Sequence, residues 1–124
     1  MKAMTLYPHY LYVKKEGEMS VNELGDYEVT SPSWEYWGRC REEGNGSGSE
    51  IQTADMKSYK FSSTVYMPVG TRRITEGTTI AVTTEEVDNL DDGSIPAGYA
   101  EGVVRISGEN RKFDGGRLHC RMWV

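Results

Sequence analysis

The stretch SYKFSSTVYMPVGTRRITEGTTIAVTT, residues Ser58–Thr84, decides the fold. In its first half Tyr59, Phe61, Val65 and Met67 share one parity, while Lys60, Ser62, Thr64 and Tyr66 share the other. Successive side chains of a strand point to opposite faces, so this alternation predicts a half-buried strand. Pro68 brings no backbone N–H to a ladder and ends the run. Beyond the Glu76-Gly77 turn, Ile80 and Val82 predict the inner face of a second strand. The two strands are expected as a pair in the middle of a sheet, because weaker strand signals flank both. The stretch holds no cluster of acids, bases, nucleophiles or metal ligands.

Toward the N-terminus, Trp34–Glu42 is the next strong strand, preceded by the turn signal Ser31-Pro32-Ser33. Trp34, Tyr36 and Cys40 are expected inward, and Trp37, Arg39 and Arg41 outward. Gly38 in the middle marks a bulge or a close backbone approach. Tyr10–Val13 is an earlier strand, with Leu11 and Val13 opposing Tyr10 and Tyr12. Between these two, residues 16–29 read as a polar connection with at most one helical turn over Glu18–Leu24, too short to stand alone. Gly44, Gly46 and Gly48 lie in the one low-complexity segment, Glu43–Ser49, expected as a flexible hairpin tip.

Toward the C-terminus, residues 85–98 form an acidic, turn-rich loop. Asp88, Asp91 and Asp92 precede Gly93 there, but the spacing is not that of an EF-hand, so no metal is expected. Ala100–Ser107 and Arg111–Phe113 predict further strands, and Asp114-Gly115-Gly116 a hairpin turn. In the last strand Leu118, Cys120, Met122 and Val124 are expected inward. Tying residue 124 into the sheet predicts that truncation unfolds the domain. The expectation is therefore an all-β chain: one antiparallel barrel or sandwich over residues 1–124, of six to eight short strands with long loops.

The chain has 124 residues, enough to bury a core without disulfides or metals. Its formal charge of −5 disfavours nucleic acid as the main ligand, which needs a basic footprint. Cys40 and Cys120 are expected as buried thiols in a reducing compartment, since their spacing fits no metal or redox motif. No signal peptide and no apolar run of spanning length is seen, so a soluble intracellular protein is expected. His9 and His119 lie near opposite ends of the chain, without a nucleophile elbow, and His119 is expected on the outer face of the last strand. Glu42 and Glu43 read like any solvated acids. No catalytic residue and no cofactor is assigned. Arg39, Arg41, Arg105 and Arg121 together would suit an acidic protein surface, and Trp37 and Trp123 are the rings expected to be exposed.

The order of these features resembles the small β-barrel head-closure, or head–tail joining, proteins of tailed phages and prophages. The resemblance is carried by the aromatic strand Tyr10–Val13, the Trp34–Glu42 strand with its Arg-Cys-Arg-Glu end, and the Gly-rich tip. It continues through Ser63–Pro68, the Ile74–Val82 turn and strand, Gly102–Arg105, and Leu118–Val124. The acidic 85–98 loop and the ending on a strand depart from the pattern. The resemblance implies a non-enzymatic subunit that forms a ring with its own copies around a DNA channel and meets portal, adaptor or tail proteins. DNA would pass without specific recognition, no membrane would be involved, and the protein would be cytoplasmic during assembly and then part of the virion. The contact residues it would use are Trp37, Arg39, Arg41, Gly44, Gly46, Gly48, Asp88, Asp91, Asp92, Arg121 and Trp123. Two rivals are a carbohydrate-binding module using Trp37 and Trp123, and an OB-like binder of single-stranded nucleic acid.

Overall fold

A computed structural model describes residues 6–17, 19–29, 32–53, 55–87, 95 and 103–124. The strands among them are β1 (His9–Lys15), β2 (Met19–Val21), β3 (Tyr27–Val29), β4 (Ser33–Gly44), β5 (Glu50–Gln52), β6 (Ser58–Lys60), β7 (Ser63–Pro68), β8 (Thr79–Thr83), β9 (Val104–Glu109), β10 (Lys112–Gly115) and β11 (His119–Trp123). Seven of them form one antiparallel sheet in the order β10-β11-β7-β4-β1-β8-β9, and β2-β3 and β5-β6 are separate two-stranded pairs. The all-β expectation holds, but the described residues form eleven strands where six to eight were expected for the chain, seven of them in the main sheet. The two small hairpins come in addition.

Strand β4 is the hinge of the architecture. Its first part, Ser33–Cys40, pairs with β1, and its last part, Arg41–Gly44, pairs with β7. At the far side β9 runs into β10 through Asn110 and Arg111 alone, so the two edge strands of the sheet are consecutive in the chain. The sheet is thus folded over on itself as a sandwich-like structure whose halves share β4, the kind of corner at which a strand passes from one layer to the other. Leu11, Val13, Ile80 and Val82 of one half bury against Val65, Met67, Phe113, Cys120, Met122 and Val124 of the other. Asn110 holds the corner: its Nδ2 donates to Ile74 O (2.8 Å), and its backbone bonds Thr78 O and Gly77 N.

The expected β7–β8 pair is not formed, because β4 and β1 lie between them. Alternation identifies a strand but not its neighbour, and residues 69–78 cross from one layer to the other, placing Ile74 in the core. The parity assigned to β4 also fails. The ladder slips between Leu11 and Tyr12, with Leu11 opposite Gly38 but Tyr12 opposite Tyr36, so Trp37 is an inserted residue. Gly38 has φ 152°, a backbone state that L side chains rarely adopt. The insertion exchanges the faces. Trp34 therefore buries with Tyr12, Ala81, Val87 and Ile95 in a second cluster, whereas Cys40 buries in the main core. Tyr36 is 39% exposed rather than core, with its ring against Tyr10 and Tyr12.

Residues 19–29 form a hairpin instead of a helical turn. Asn22 Oδ1 accepts from Leu24 N (2.9 Å) and Asp26 N (3.0 Å), and Gly25 takes a positive φ, which fixes a tight turn. The Gly44–Gly48 tip does not join paired strands either, since β5 pairs with β6 and not with β4. It is closed by Asn45, whose side chain donates to Ser49 O and Phe61 O and accepts from Ser49 N. In the last strand Cys120, Met122 and Val124 are buried as expected, but Leu118 is 85% exposed because β11 begins only at His119.

Candidate functional site

The outer face of β10, β11, β7 and the end of β4 collects side chains that sequence spacing alone could not bring together. Cross-strand register aligns Asp114, Arg121, Tyr66 and Arg41 in one row, and Lys112, Trp123, Thr64 and Glu43 in the next. Their strand neighbours Phe113, Met122, Val65 and Glu42 turn inward, so alternation forces these residues outward. The guanidinium of Arg41 lies 4.7 Å from the centre of the Tyr66 ring, and the Arg121 guanidinium and the Lys112 ammonium approach Trp123 at 5.3 and 5.6 Å. His119 meets Tyr66 edge-on at 5.2 Å. Glu43 bonds Arg41 (2.8 Å) and Asp114 bonds Arg121 (2.9 Å). An open hollow of about 650 Å³ adjoins this face, lined by Gly116, Arg117, Leu118, His119 and Arg121. Four cations against two carboxylates leave the face positive on a chain that is acidic as a whole.

A second polar constellation is internal. Glu42 shares its face with Val65 and is only 9% exposed. Its Oε2 accepts from Ser63 Oγ (2.6 Å) and its Oε1 from Arg105 Nε (2.8 Å), while its backbone N donates to His9 Nδ1 (3.1 Å). Arg105 departs from the alternation because it too is an inserted residue: Val82 faces Ile106 and Thr83 faces Val104, leaving Arg105 without a ladder partner, and its side chain stays 39% exposed while Nε meets Glu42. Arg105 is thus not on the arginine face expected from alternation. The pair Glu42–Arg105 joins the end of β4 to the edge strand β9.

Matches to this chain were sought among protein families, curated proteins and solved structures. None was found. The site is therefore read from its own geometry.

The structure places three of the expected contact residues, Arg41, Arg121 and Trp123, on the positive outer face. Arg39 lies elsewhere, clamped to Tyr7 O, Pro8 O and Tyr10 Oη. Trp37 packs partly against the main core, donates Nε1–H to Arg72 O (2.9 Å) and is covered by the Arg72 guanidinium. Trp37 and Trp123 do not share a face. Gly44 ends β4 beside Ser63, and Gly46 and Gly48 lie in the Asn45-closed tip. Asp88, Asp91 and Asp92 lie outside the described residues. Sequence reading gave Tyr66 and His119 outward parity without joining them across strands, and it missed Lys112 on the outer face and Glu42, Ser63 and His9 as an internal set. Glu42 carried a signal, because it shares the parity of Cys40.

Burial holds the His9 imidazole below its ordinary pKa, and the Arg105 charge, opposed by Glu42 and aided by Arg39, pushes in the same direction. The unfolded chain then takes up this proton first as pH falls through the ordinary histidine range near about 6.5, so His9 contributes stability above that range and loses it below. We expect the thermal midpoint to fall between pH 7.5 and 5.5, and to fall less in His9→Asn, which keeps an acceptor near the Nδ1 position. An equal fall in both proteins would rule out His9 as a source of the dependence. Cys40 takes no part in such chemistry, since burial pushes its thiol up to about 12.

Proposed function

We propose that the chain is a structural subunit that assembles with copies of itself into a ring, as in the head–tail connector of a tailed phage or prophage. The observation that carries the reading is the β2–β3 hairpin. Among the described residues its strands pair only with each other, and Met19, Val21, Leu24 and Tyr27 are between 60% and 86% exposed. A two-stranded hairpin is marginal on its own in water, and a cluster of exposed large apolar side chains marks a surface meant to be covered. An acidic chain, at −5, also avoids adhering to DNA passing through a ring. In this reading the subunit works in the host cytoplasm during assembly and then in the virion, against portal, adaptor or tail proteins. No helix among the described residues is long and apolar enough to cross a membrane. Light scattering coupled to size exclusion across a concentration series is the test. A mass rising to one closed multiple of the 14.0 kDa chain is expected, whereas a monomer up to millimolar concentration overturns self-assembly.

The positive, aromatic outer face favours one second reading, a platform for single-stranded nucleic acid. It predicts quenching of Trp123 by an oligothymidylate, with an affinity that falls steeply between 50 and 200 mM salt. The carbohydrate reading loses its platform, because Trp37 and Trp123 lie on different surfaces.

A further inference from the structure

We infer that the β2–β3 arm of one copy docks on the outer face of β10, β11, β7 and β4 in the next copy. The inference rests on the self-assembly reading above and names the contact. Charge complementarity is its first support. Residues 16–29 hold five carboxylates, Glu16, Glu18, Glu23, Asp26 and Glu28, and no Lys or Arg. The outer face presents Arg41, Lys112, Arg117 and Arg121 against only Glu43 and Asp114. Apolar complementarity is the second. The arm offers Met19, Val21, Leu24 and Tyr27, and the face offers the rings of Tyr66, Trp123 and His119 with the exposed Leu118 at its border. Aromatic and Arg side chains are the residue types that anchor protein interfaces.

The strand order separates the arm from this face along one chain, which favours a contact between copies. The arm's last strand ends at Val29, four residues before Ser33 opens β4, whereas Arg41 lies eight residues further along that strand than Ser33, about 26 Å at the usual rise. Two different surfaces on one chain either exchange reciprocally and close at a dimer or meet head to tail, which leaves an arm and a face free at the ends. The head-to-tail form propagates and, when its rotation closes, gives the ring of the self-assembly reading.

The test uses the full chain with one new thiol on each partner. Val21→Cys places one on the arm and Thr64→Cys one in the middle of the face, while Cys40 and Cys120 are buried. The two variants are mixed and treated with a short bis-maleimide, and the linked peptides are identified by mass spectrometry. Arm-to-face links are expected to exceed arm-to-arm and face-to-face links at least tenfold. Arg41→Glu with Arg121→Glu should reduce them about tenfold, and Glu23→Lys with Glu28→Lys on the arm-bearing partner should restore them. Circular dichroism of each variant checks that the fold is kept. Equal amounts of all three link types overturn the inference. A rising mass without arm-to-face links overturns it while leaving self-assembly intact. Arm-to-face links in species that stop at the dimer support it and overturn the ring. Loss of the links on adding an oligothymidylate that binds the face with the salt dependence given above, and that leaves the mass unchanged, assigns the face to nucleic acid and overturns the arm contact.

Discussion

A chain cut after Arg121 is expected to be unfolded. Met122 and Val124 are both buried in the main core, where they meet residues from each half of the folded sheet. Removing a buried Met side chain costs roughly 2–5 kcal/mol, and removing a buried Val about 2 kcal/mol. The backbone is lost as well. Val124 O accepts from Ser62 N (2.7 Å) and Ser63 N (3.3 Å), and Val124 N donates to Ser63 O (3.0 Å). Each such bond contributes about 1 kcal/mol, and their loss also frees the start of β7, which positions Ser63 for Glu42. The sum reaches the 5–15 kcal/mol, roughly, that holds a typical domain folded.

Gly108 extends the effect across the fold. A Cβ there would come within 3.0 Å of Val124 Cγ1, so β9 and residue 124 are in direct contact where the two layers meet. Losing Val124 therefore opens the junction as well as one strand. Far-UV circular dichroism and a urea titration check the expectation, with Met122→Ala as the milder variant, expected to lose about 2–4 kcal/mol. A truncated chain that unfolds cooperatively at the midpoint of the intact one would refute this account of the C-terminal strand.

What the sequence made legible follows from the range of each signal. Period-2 alternation is local, so Val65 and Met67 in β7, Ile80 and Val82 in β8, and Cys120, Met122 and Val124 in β11 were all assigned inward, and all are buried. Strand pairing is not local. The β7–β8 neighbourhood was misread because the β1 and β4 strands that separate them come from the other end of the chain. Insertions defeat parity in a further way. Gly38 announced a bulge, yet one inserted residue at Trp37 was enough to send Trp34 and Cys40 to different faces. Arg105 gave no such warning, since no glycine marks its insertion. The outer face was half legible for the same reason: Arg41, Arg121 and Trp123 have outward parity, but only the register places them in rows with Tyr66 and Lys112.

Arg105→Met is expected to cost more than Glu42→Gln, and the double variant to be more stable than the Arg105→Met single. Breaking an ion pair by removing one partner strands the other, and the penalty depends on which charge remains buried. Glu42 is the buried member, with its side chain 8% exposed against 39% for Arg105. Arg105→Met leaves a carboxylate inside the fold with only Ser63 Oγ on its side-chain oxygens, and partial exposure of the pair brings the cost to about 2–3 kcal/mol. Glu42→Gln leaves Arg105 free to turn to water and leaves Ser63 an acceptor, so it costs roughly 1–2 kcal/mol. In the double variant the stranded charge is gone, giving a coupling of about 1 kcal/mol or more. Urea unfolding of the four proteins measures all three quantities. The pair also ties β9 to the end of β4 that carries Arg41 and Glu43, so the Arg105→Met chain should lose cross-strand order on the outer face in step with its stability. A double variant less stable than either single would show that Arg105 acts through packing of its stem, and that the Glu42 charge does not need it.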